Sequence, residues 1–430
     1  MKQICIIGAG HVGLVTGACF AQLGNKVVCV DDDLKKLENL RQGVMPFYEP
    51  GLDEMVHRNL ASGRLVFASA AAEGIRSSEI VFICVGTPQH PGGEADLSYV
   101  EAAAKRIAEC LDSFKVIVEK STVPVKAGVW VARTIRLFNR IDAQFAVVSN
   151  PEFLREGKAI DDFMKPDRIV LGVDNPLAEQ TMREIYSPLK APFVVTSIET
   201  AEVIKHACNG FLALKISYAN AIAAICEKVG ADVVKVAEGM GYDHRIGRAF
   251  LDAGAGYGGY CFPKDVAALI RIAEDAGYDF EILKAVQNVN EFQCRQIIKK
   301  AKGLLWNLNN KTIGILGLSY KPDTDDMREA PAVRIIKLLQ AEGAHIKAYD
   351  PQAMNNAREL LKNVAFCRDA YDAAQGADAL ILVTEWDEFR KLDLPRLKTL
   401  LCTPFIIDGR NLFDPVLLRE MGFIYQGVGR

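Results

Sequence analysis

The sequence predicts an α/β protein in which two doubly wound, mostly parallel sheets are joined by a long central helix and a helical middle domain. Three observations carry this. The chain opens on an apolar run, Lys2–Gly8, then a helical run, His11–Leu23, then a second apolar run, Lys26–Val30, which together read as a βαβ unit. The opening pattern returns late in the chain, where Thr312–Gly317 echoes Ile4–Gly10. Between the two copies lies a long helical run without proline, Glu199–Val229. The expected divisions are 1–197 for the first sheet domain, 198–300 for the helical middle and 301–430 for the second sheet domain.

Each element follows from its own residues. Further strands are expected at Ile80–Val85, Lys115–Glu119 and Phe145–Ser149, all apolar runs of strand length. In the second copy, His345–Asp350 echoes the strand ending at Asp31, and Ala379–Val383 echoes Ile80–Val85. Gly8-Ala9-Gly10-His11-Val12-Gly13 follows a strand and opens a helix, the context a dinucleotide fingerprint requires. Its glycines permit a tight turn, close approach of a pyrophosphate, and close packing of helix on strand. Asp31 ends the next strand, where a ribose-binding carboxylate belongs, and a carboxylate there favours NAD over NADP by repelling a 2′-phosphate. Asp32 and Asp33 suit an acidic surface turn. Both copies read as Rossmann-like, but the second lacks a complete GxGxxG and is not expected to bind a dinucleotide.

The bulk properties narrow the class. The 430 residues are 50% hydrophobic and 24% charged, with a formal net charge of −3, so no broad basic field exists for nucleic acid. The eleven cysteines are scattered without a CxxC pair, and the six histidines show no metal-ligand spacing, so no metal is expected. Cys5, Cys29, Cys84, Cys208 and Cys226 sit in apolar runs and read as buried core thiols, a pattern that fits a reducing cytoplasm. No signal peptide or apolar stretch of membrane-spanning length is expected.

The most telling stretch is Gly256-Tyr257-Gly258-Gly259-Tyr260-Cys261-Phe262-Pro263-Lys264-Asp265. Pro263 suits a first helical turn. Cys261 then sits at the positive end of a helix dipole and close to Lys264, where a thiol ionises most readily, with Asp265 within reach as a base or water-positioning group. Val85-Gly86-Thr87-Pro88 and Ser121-Thr122-Val123-Pro124 each follow a strand, either as simple turns or as parts of a ligand crevice. Asn150-Pro151-Glu152-Phe153-Leu154-Arg155-Glu156-Gly157 reads as one capped helical turn with a glycine stop, placing Glu152 and Glu156 on one face. Those glutamates either complement the helix dipole or serve a site. Lys205 and Asn209 are four apart on an apolar helix, and either the lysine snorkels or both converge on a site.

A thiol beside a single nicotinamide site supports a specific reaction. It can trap an aldehyde as a thiohemiacetal and then carry a thioester, so one alcohol passes to an acid while two NAD molecules are consumed.

GAGHVG, VGTP, STVP, NPEFLREG, KHACN, GYGGYCFPKD and SYKPDTDDMREAP occur in the order typical of the UDP-glucose/GDP-mannose dehydrogenase family, which the chain resembles over nearly its whole length. The resemblance implies oxidation of UDP-glucose at C6 to UDP-glucuronate, with GDP-mannose as the alternative substrate. It implies Cys261 as nucleophile, with Lys205, Asn209 and Asp265 stabilising the alkoxide or thiohemiacetal oxygen and positioning water, and Glu152 assisting thioester hydrolysis. NAD would lie on Gly8, Gly10, Val12, Gly13 and Thr87, with Asp31 and Lys36 near the adenosine ribose, Thr122 and Glu156 near the nicotinamide, and Lys264 and Arg328 in contact. The sugar and diphosphate would meet Glu152, Phe153, Leu154, Arg155, Glu156, Lys205, Asn209 and Lys321. The loop Phe250-Leu251-Asp252-Ala253-Gly254, with Gly258, would join them, and the second sheet domain would hold the UDP. Arg245 would reach the substrate of a neighbouring subunit, implying a homodimer or larger assembly with the long helix at its core. Many relatives carry serine where this chain has Tyr260.

Overall fold

The computed structural model describes residues 1–90 and 94–430. They divide into two compact units, Met1–Cys208 with Ala267–Ala276, and Asn209–Val266 with Gly277–Arg430.

The first unit holds an eight-stranded sheet built from β1 (Gln3–Ile7), β2 (Lys26–Val30), β3 (Leu65–Ala68), β4 (Ile80–Ile83), β5 (Lys115–Glu119), β6 (Phe145–Ser149), β7 (Ile169–Gly172) and β8 (Phe193–Thr196). The strand order is β3-β2-β1-β4-β5-β6-β7-β8, parallel except where β7 meets β6 through the pair Ser149–Gly172. The first six strands reproduce the doubly wound order, with its switch point between β1 and β4. They are continuous apolar runs because both faces are covered, and Ile4, Ile6, Val81 and Ile83 are fully buried. On one face the ring of Phe20, from helix His11–Gln22, packs against Phe82, Phe163 and Tyr186 at 5.1 to 5.3 Å between centroids.

The second unit repeats the arrangement. Its strands are β9 (Thr312–Leu316), β10 (His345–Tyr349), β11 (Val364–Phe366), β12 (Ala379–Leu382), β13 (Phe405–Asp408) and β14 (Ile424–Gln426), in the order β11-β10-β9-β12-β13-β14. All are parallel. The helical segments expected between the sheets are present as Ile198–Val229, Val233–Gly241, Cys261–Asp275 and Glu281–Leu305.

The structure departs from three expectations. Residues 150–157 form no helical turn. Asn150 cannot cap one, because its amide donates to the Val170 carbonyl at 2.9 Å and its oxygen accepts from Tyr186 at 2.6 Å. Glu152 instead takes the Leu154 N–H at 2.6 Å, and Gly157 turns through a positive φ of 78°. Cys208 is half-buried, unlike Cys5, Cys29, Cys84 and Cys226, which are buried. Helix Ile198–Val229 is, against expectation, long and apolar enough to cross a membrane by length and composition, yet its Glu202, Lys205, His206, Ser217 and Asn220 are all buried within the fold.

The two sheets diverge at one matched position. In the first unit, Asp31 after β2 accepts the Ala9 N–H at 2.8 Å. In the second, Asp350 after β10 accepts the Leu318 N–H at 2.7 Å, the same place in the repeat. Asp350 is fully buried and also takes Ser319 N–H and hydroxyl, Trp386 Nε1, Gln352 N–H and Ala353 N–H. No helix follows Gly317 directly; the next, Pro331–Ala341, begins only after the SYKPDTDDMREA segment. Asp350 is thus a structural knot, with its acceptor sites occupied by the protein's own donors. Replacing it, Asp350→Ala, leaves several buried donors without partners. We expect a loss of at least about 3 kcal/mol in urea unfolding; a loss below about 1 kcal/mol would contradict this reading.

Candidate active site

In the first unit, four of the sequence motifs singled out for chemistry follow the carboxyl ends of strands. Gly8 follows β1, Thr87 follows β4, Thr122 follows β5 and Glu152 follows β6. Strand ends that flank a switch point, here the one between β1 and β4, form the crevice of a doubly wound sheet.

The fingerprint glycines can be tested for room. Gly8 adopts φ 100°, and a Cβ there would lie 2.6 Å from the Cys84 carbonyl oxygen. A Cβ on Gly13 would lie 1.8 Å from the Gly8 oxygen, so this glycine lets the helix start pack on the strand end. A Cβ on Gly10 would meet nothing within 4 Å, which leaves open space where a pyrophosphate must approach. Helix His11–Gln22, with Val12 in its first turn, has no side-chain cap, so its leading N–H groups face outward for an anion. Asp31 closes the cradle. Burial opposes its ionisation, but hydrogen bonds from Lys36, Asp33 N–H and Ala9 N–H hold its carboxyl below the usual range. Lys36 reaches it at 2.8 Å, placing both residues expected near the ribose in one pair. These residues fit a dinucleotide. Glu49, which the sequence reading missed, braces the same corner by accepting from Gly157 N–H, Ala159 N–H and the His11 ring.

The Thr122 loop is fixed from several directions. Thr87 donates to the Thr122 carbonyl at 2.9 Å, and Ser121 N–H bonds Glu119 at 2.9 Å. From helix Ile198–Val229, Glu202 accepts Lys126 N–H at 2.6 Å and Gly128 N–H at 2.8 Å, while the His206 ring bonds the Val123 carbonyl at 2.8 Å. Glu202 therefore caps helix Ala127–Phe138 from outside it.

One turn further along, Lys205 donates to Glu152 at 2.8 Å, with each side chain 4% exposed. A pair this dry is held by mutual need, since removing either partner strands a buried charge. Glu156 is half-buried and Arg155 is held by Asp162 through its N–H, Nε and a terminal nitrogen. Lys120, unmarked by the sequence reading, lies buried against Asn150 at 3.2 Å, and burial lowers its ammonium to about 8.

In the second unit, Cys261 is the first residue of helix Cys261–Asp275 and is half-buried. Asp265 is fully buried, accepting from Asn209 at 2.6 Å and from Lys264 at 2.8 Å. Two cations expected at the cofactor lie close to the Tyr260 ring, Lys264 at 5.4 Å and Arg328 at 4.3 Å from its centroid. Gly258 and Gly259 press on the SYKPDTDDMREAP segment. A Cβ would come within 2.3 Å of the Glu329 oxygen at Gly258 and 2.7 Å of the Tyr320 ring at Gly259.

The loop 250–254 is anchored too. Asn220 accepts Gly254 N–H at 2.8 Å, Leu251 and Ala253 are buried, and Arg248 pairs with Asp252. Phe250 takes a positive φ of 65° and sets its ring edge-on to Phe262 at 6.2 Å. Lys321 lies over the Tyr320 ring, and Arg245 is exposed and paired with Asp243.

Burial raises Glu202 to about 7, against the lowering by its two N–H bonds. The folded state then holds this proton more tightly than the unfolded chain, so its stabilising share is complete below the ordinary glutamate value of 4.5 and is lost as pH rises through 7. Urea unfolding at pH 5 and pH 8 should show a fall that shrinks by on the order of 2 kcal/mol in Glu202→Gln. Equal falls in the two proteins would exclude it.

Comparison with known proteins places these features in one lineage. The models of the UDP-glucose/GDP-mannose dehydrogenase family match the chain in three parts, the NAD binding domain over residues 2–190, the central domain over 199–292 and the UDP binding domain over 314–415. The chain is 50% identical to the UDP-glucose 6-dehydrogenase TuaD of Bacillus subtilis over 100% of its own length and 94% of the relative's. It is 49% identical to the UDP-glucose 6-dehydrogenase of Rhizobium meliloti, over 100% and 99%. The solved UDP-glucose dehydrogenase of Pyrobaculum islandicum superimposes with a TM-score of 0.94 at 40% identity, covering 100% of this chain and 98% of that one. The chain is therefore a member of the UDP-glucose/GDP-mannose dehydrogenase family, an NAD-dependent oxidoreductase.

Proposed function

We propose that this protein oxidises UDP-glucose at C6 to UDP-glucuronate, with Cys261 holding the carbon between two oxidations. The observation that carries the reading is the thiol at the first residue of its helix, one turn ahead of the buried Asp265–Asn209 hydrogen bond. NAD, when bound, supplies the hydride acceptor for both oxidations.

The chain's own groups account for the rest. The first oxidation takes a proton from the C6 hydroxyl and a hydride from C6, leaving an aldehyde. The Cys261 sulfur, favoured as thiolate by the helix N-terminus, adds to that carbon, and the oxygen gains a proton to give a thiohemiacetal. Loss of the second hydride from carbon and of the proton from oxygen leaves a thioester. Water then adds to its carbonyl, the C–S bond breaks, sulfur regains a proton and the acid departs. Lys205 and Asn209, one turn apart on a helix, are the donors for the oxygen that carries developing charge. Asp265 orients the Asn209 amide by accepting from its nitrogen. Glu152 takes the proton of the attacking water, and Thr122 and Glu156 border the nicotinamide.

The remaining assignments rest on the same reading. Lys264 and Arg328, gathered on Tyr260, meet the cofactor, and Lys321 and the loop 250–254 meet the substrate. The UDP-binding description of the matched region 314–415 favours uridine over guanosine. The division at 1–197, 198–300 and 301–430 is supported by the three matched segments. A homodimer is supported by an apolar stripe on the long helix, where Phe211, Tyr218 and Ile225 are 50 to 61% exposed at seven-residue spacing. Arg245 extends into solvent as a residue serving a neighbouring subunit would. The absence of any disulfide among the eleven described cysteines supports a cytoplasmic setting.

Two measurements test this. Product assays should give two NADH per UDP-glucuronate, and Cys261→Ser should form no acid while NAD still binds; normal acid formation by that variant would sink the mechanism. Across a substrate panel, kcat/KM for UDP-glucose should exceed that for GDP-mannose by at least about 100-fold, because a base-reading site leaves its polar groups unpaired on the wrong base. The reverse preference would reassign the substrate.

A further inference from the structure

Arg168 takes no part in the mechanism above, yet it is fastened to neighbours of the residues that do. Its guanidinium stacks on the Phe153 ring 3.6 Å from the centroid, and it donates to the Cys208 sulfur at 3.6 Å. Phe153 follows Glu152 in the chain, and its ring also lies 5.5 Å from the Lys205 ammonium. Cys208 is on the helix that carries Lys205. Arg168 thus staples the loop of Glu152 to the helix of Lys205.

The staple matters because residues 150–157 are not helical. No i to i−4 ladder holds their backbone, so the direction of the Glu152 carboxylate depends on side-chain contacts. Three are visible: the Leu154 N–H at 2.6 Å, Lys205 at 2.8 Å, and the clamp on the adjoining Phe153. A planar guanidinium can lie flat on a ring while one edge donates to sulfur; an ammonium has no such plane.

We propose that Arg168 is a positioning residue for Glu152, and that its loss slows hydrolysis of the Cys261 thioester rather than cofactor binding. The proposal rests on the role given to Glu152 above. The step affected is water adding to the thioester carbonyl with its proton passing to Glu152, the C–S bond breaking, and the sulfur regaining a proton.

The test combines steady-state kinetics with intact-mass analysis of enzyme quenched during turnover of UDP-glucose and NAD. In Arg168→Met we expect kcat to fall about 10- to 100-fold, the scale of a displaced catalytic group, with KM for NAD within twofold. A covalent adduct on Cys261 should accumulate, as in Glu152→Gln. Arg168→Lys should recover less than about a third of the loss. If Glu152→Gln accumulates adduct and Arg168→Met does not, or if Arg168→Lys restores full activity, the proposal is overturned while the reaction stands. If Glu152→Gln accumulates none, the role of Glu152 falls and the proposal with it. Should Arg168→Met not fold, Cys208→Ala removes the far end of the staple; a smaller rise in adduct supports the proposal and none overturns it.

Discussion

Lys205 and Glu152 lie 2.8 Å apart with almost no water on either. Taking two such charges out of solvent costs several kcal/mol each, which their attraction offsets only when geometry and supporting hydrogen bonds are good. The surroundings of the pair follow from that demand. Glu152 turns back on the Leu154 N–H, and the Phe153 ring lies near the cations of both Lys205 and Arg168. The same helix must then be held in register, and Glu202 and His206 do so by gripping the segment from Val123 to Gly128. One helix thus carries two neighbouring stripes: one fixes the Thr122 loop and the other presents Lys205 and, a turn later, Asn209.

The repeated sheet shows how one architecture is turned to different ends. Both copies place a carboxylate after the second strand and bond it to the first strand's turn. In the first copy the turn runs straight into a helix, leaving uncapped N–H groups and a partly exposed Asp31. In the second, a long segment intervenes, and Asp350 is sealed by six donors from its own chain. A carboxylate that has spent its lone pairs on the protein's own donors has none for a ribose hydroxyl. Loss of the full glycine fingerprint and burial of the acid are two sides of one change.

The strands were legible because a sheet covered on both faces needs unbroken apolar runs, which Ile80–Ile83 and the Val116–Val118 centre of β5 supply. The candidate residues were legible where short motifs followed those strands. The error at Asn150 has a physical cause. Asn-Pro is a good helix start locally, but here the asparagine side chain is claimed by Val170 and Tyr186, partners twenty and thirty-six residues away. Glu49, Lys120, Arg168 and Glu202 escaped notice for the same reason: each is an ordinary charged residue in sequence and acquires meaning only from a distant partner.

The glycines before Cys261 illustrate the limit most clearly. By resemblance, Gly258 is expected among the residues that meet the sugar and diphosphate. In the fold, Gly256 lies against Asn290, Gly258 against Glu329 and Gly259 against Tyr320. Gly259 also needs its positive φ of 83°, and its N–H donates to the Arg328 carbonyl at 2.9 Å. Asn290 grips Tyr257 by both N–H and carbonyl. A side chain at Gly258 or Gly259 would push the loop off the segment from Tyr320 to Glu329, and with it the turn from which the cysteine helix starts. The two most specific motifs in the chain, GYGGYCFPKD and SYKPDTDDMREAP, are therefore one packed unit. Tyr260 completes it, gathering Lys264 from one motif and Arg328 from the other onto a single ring.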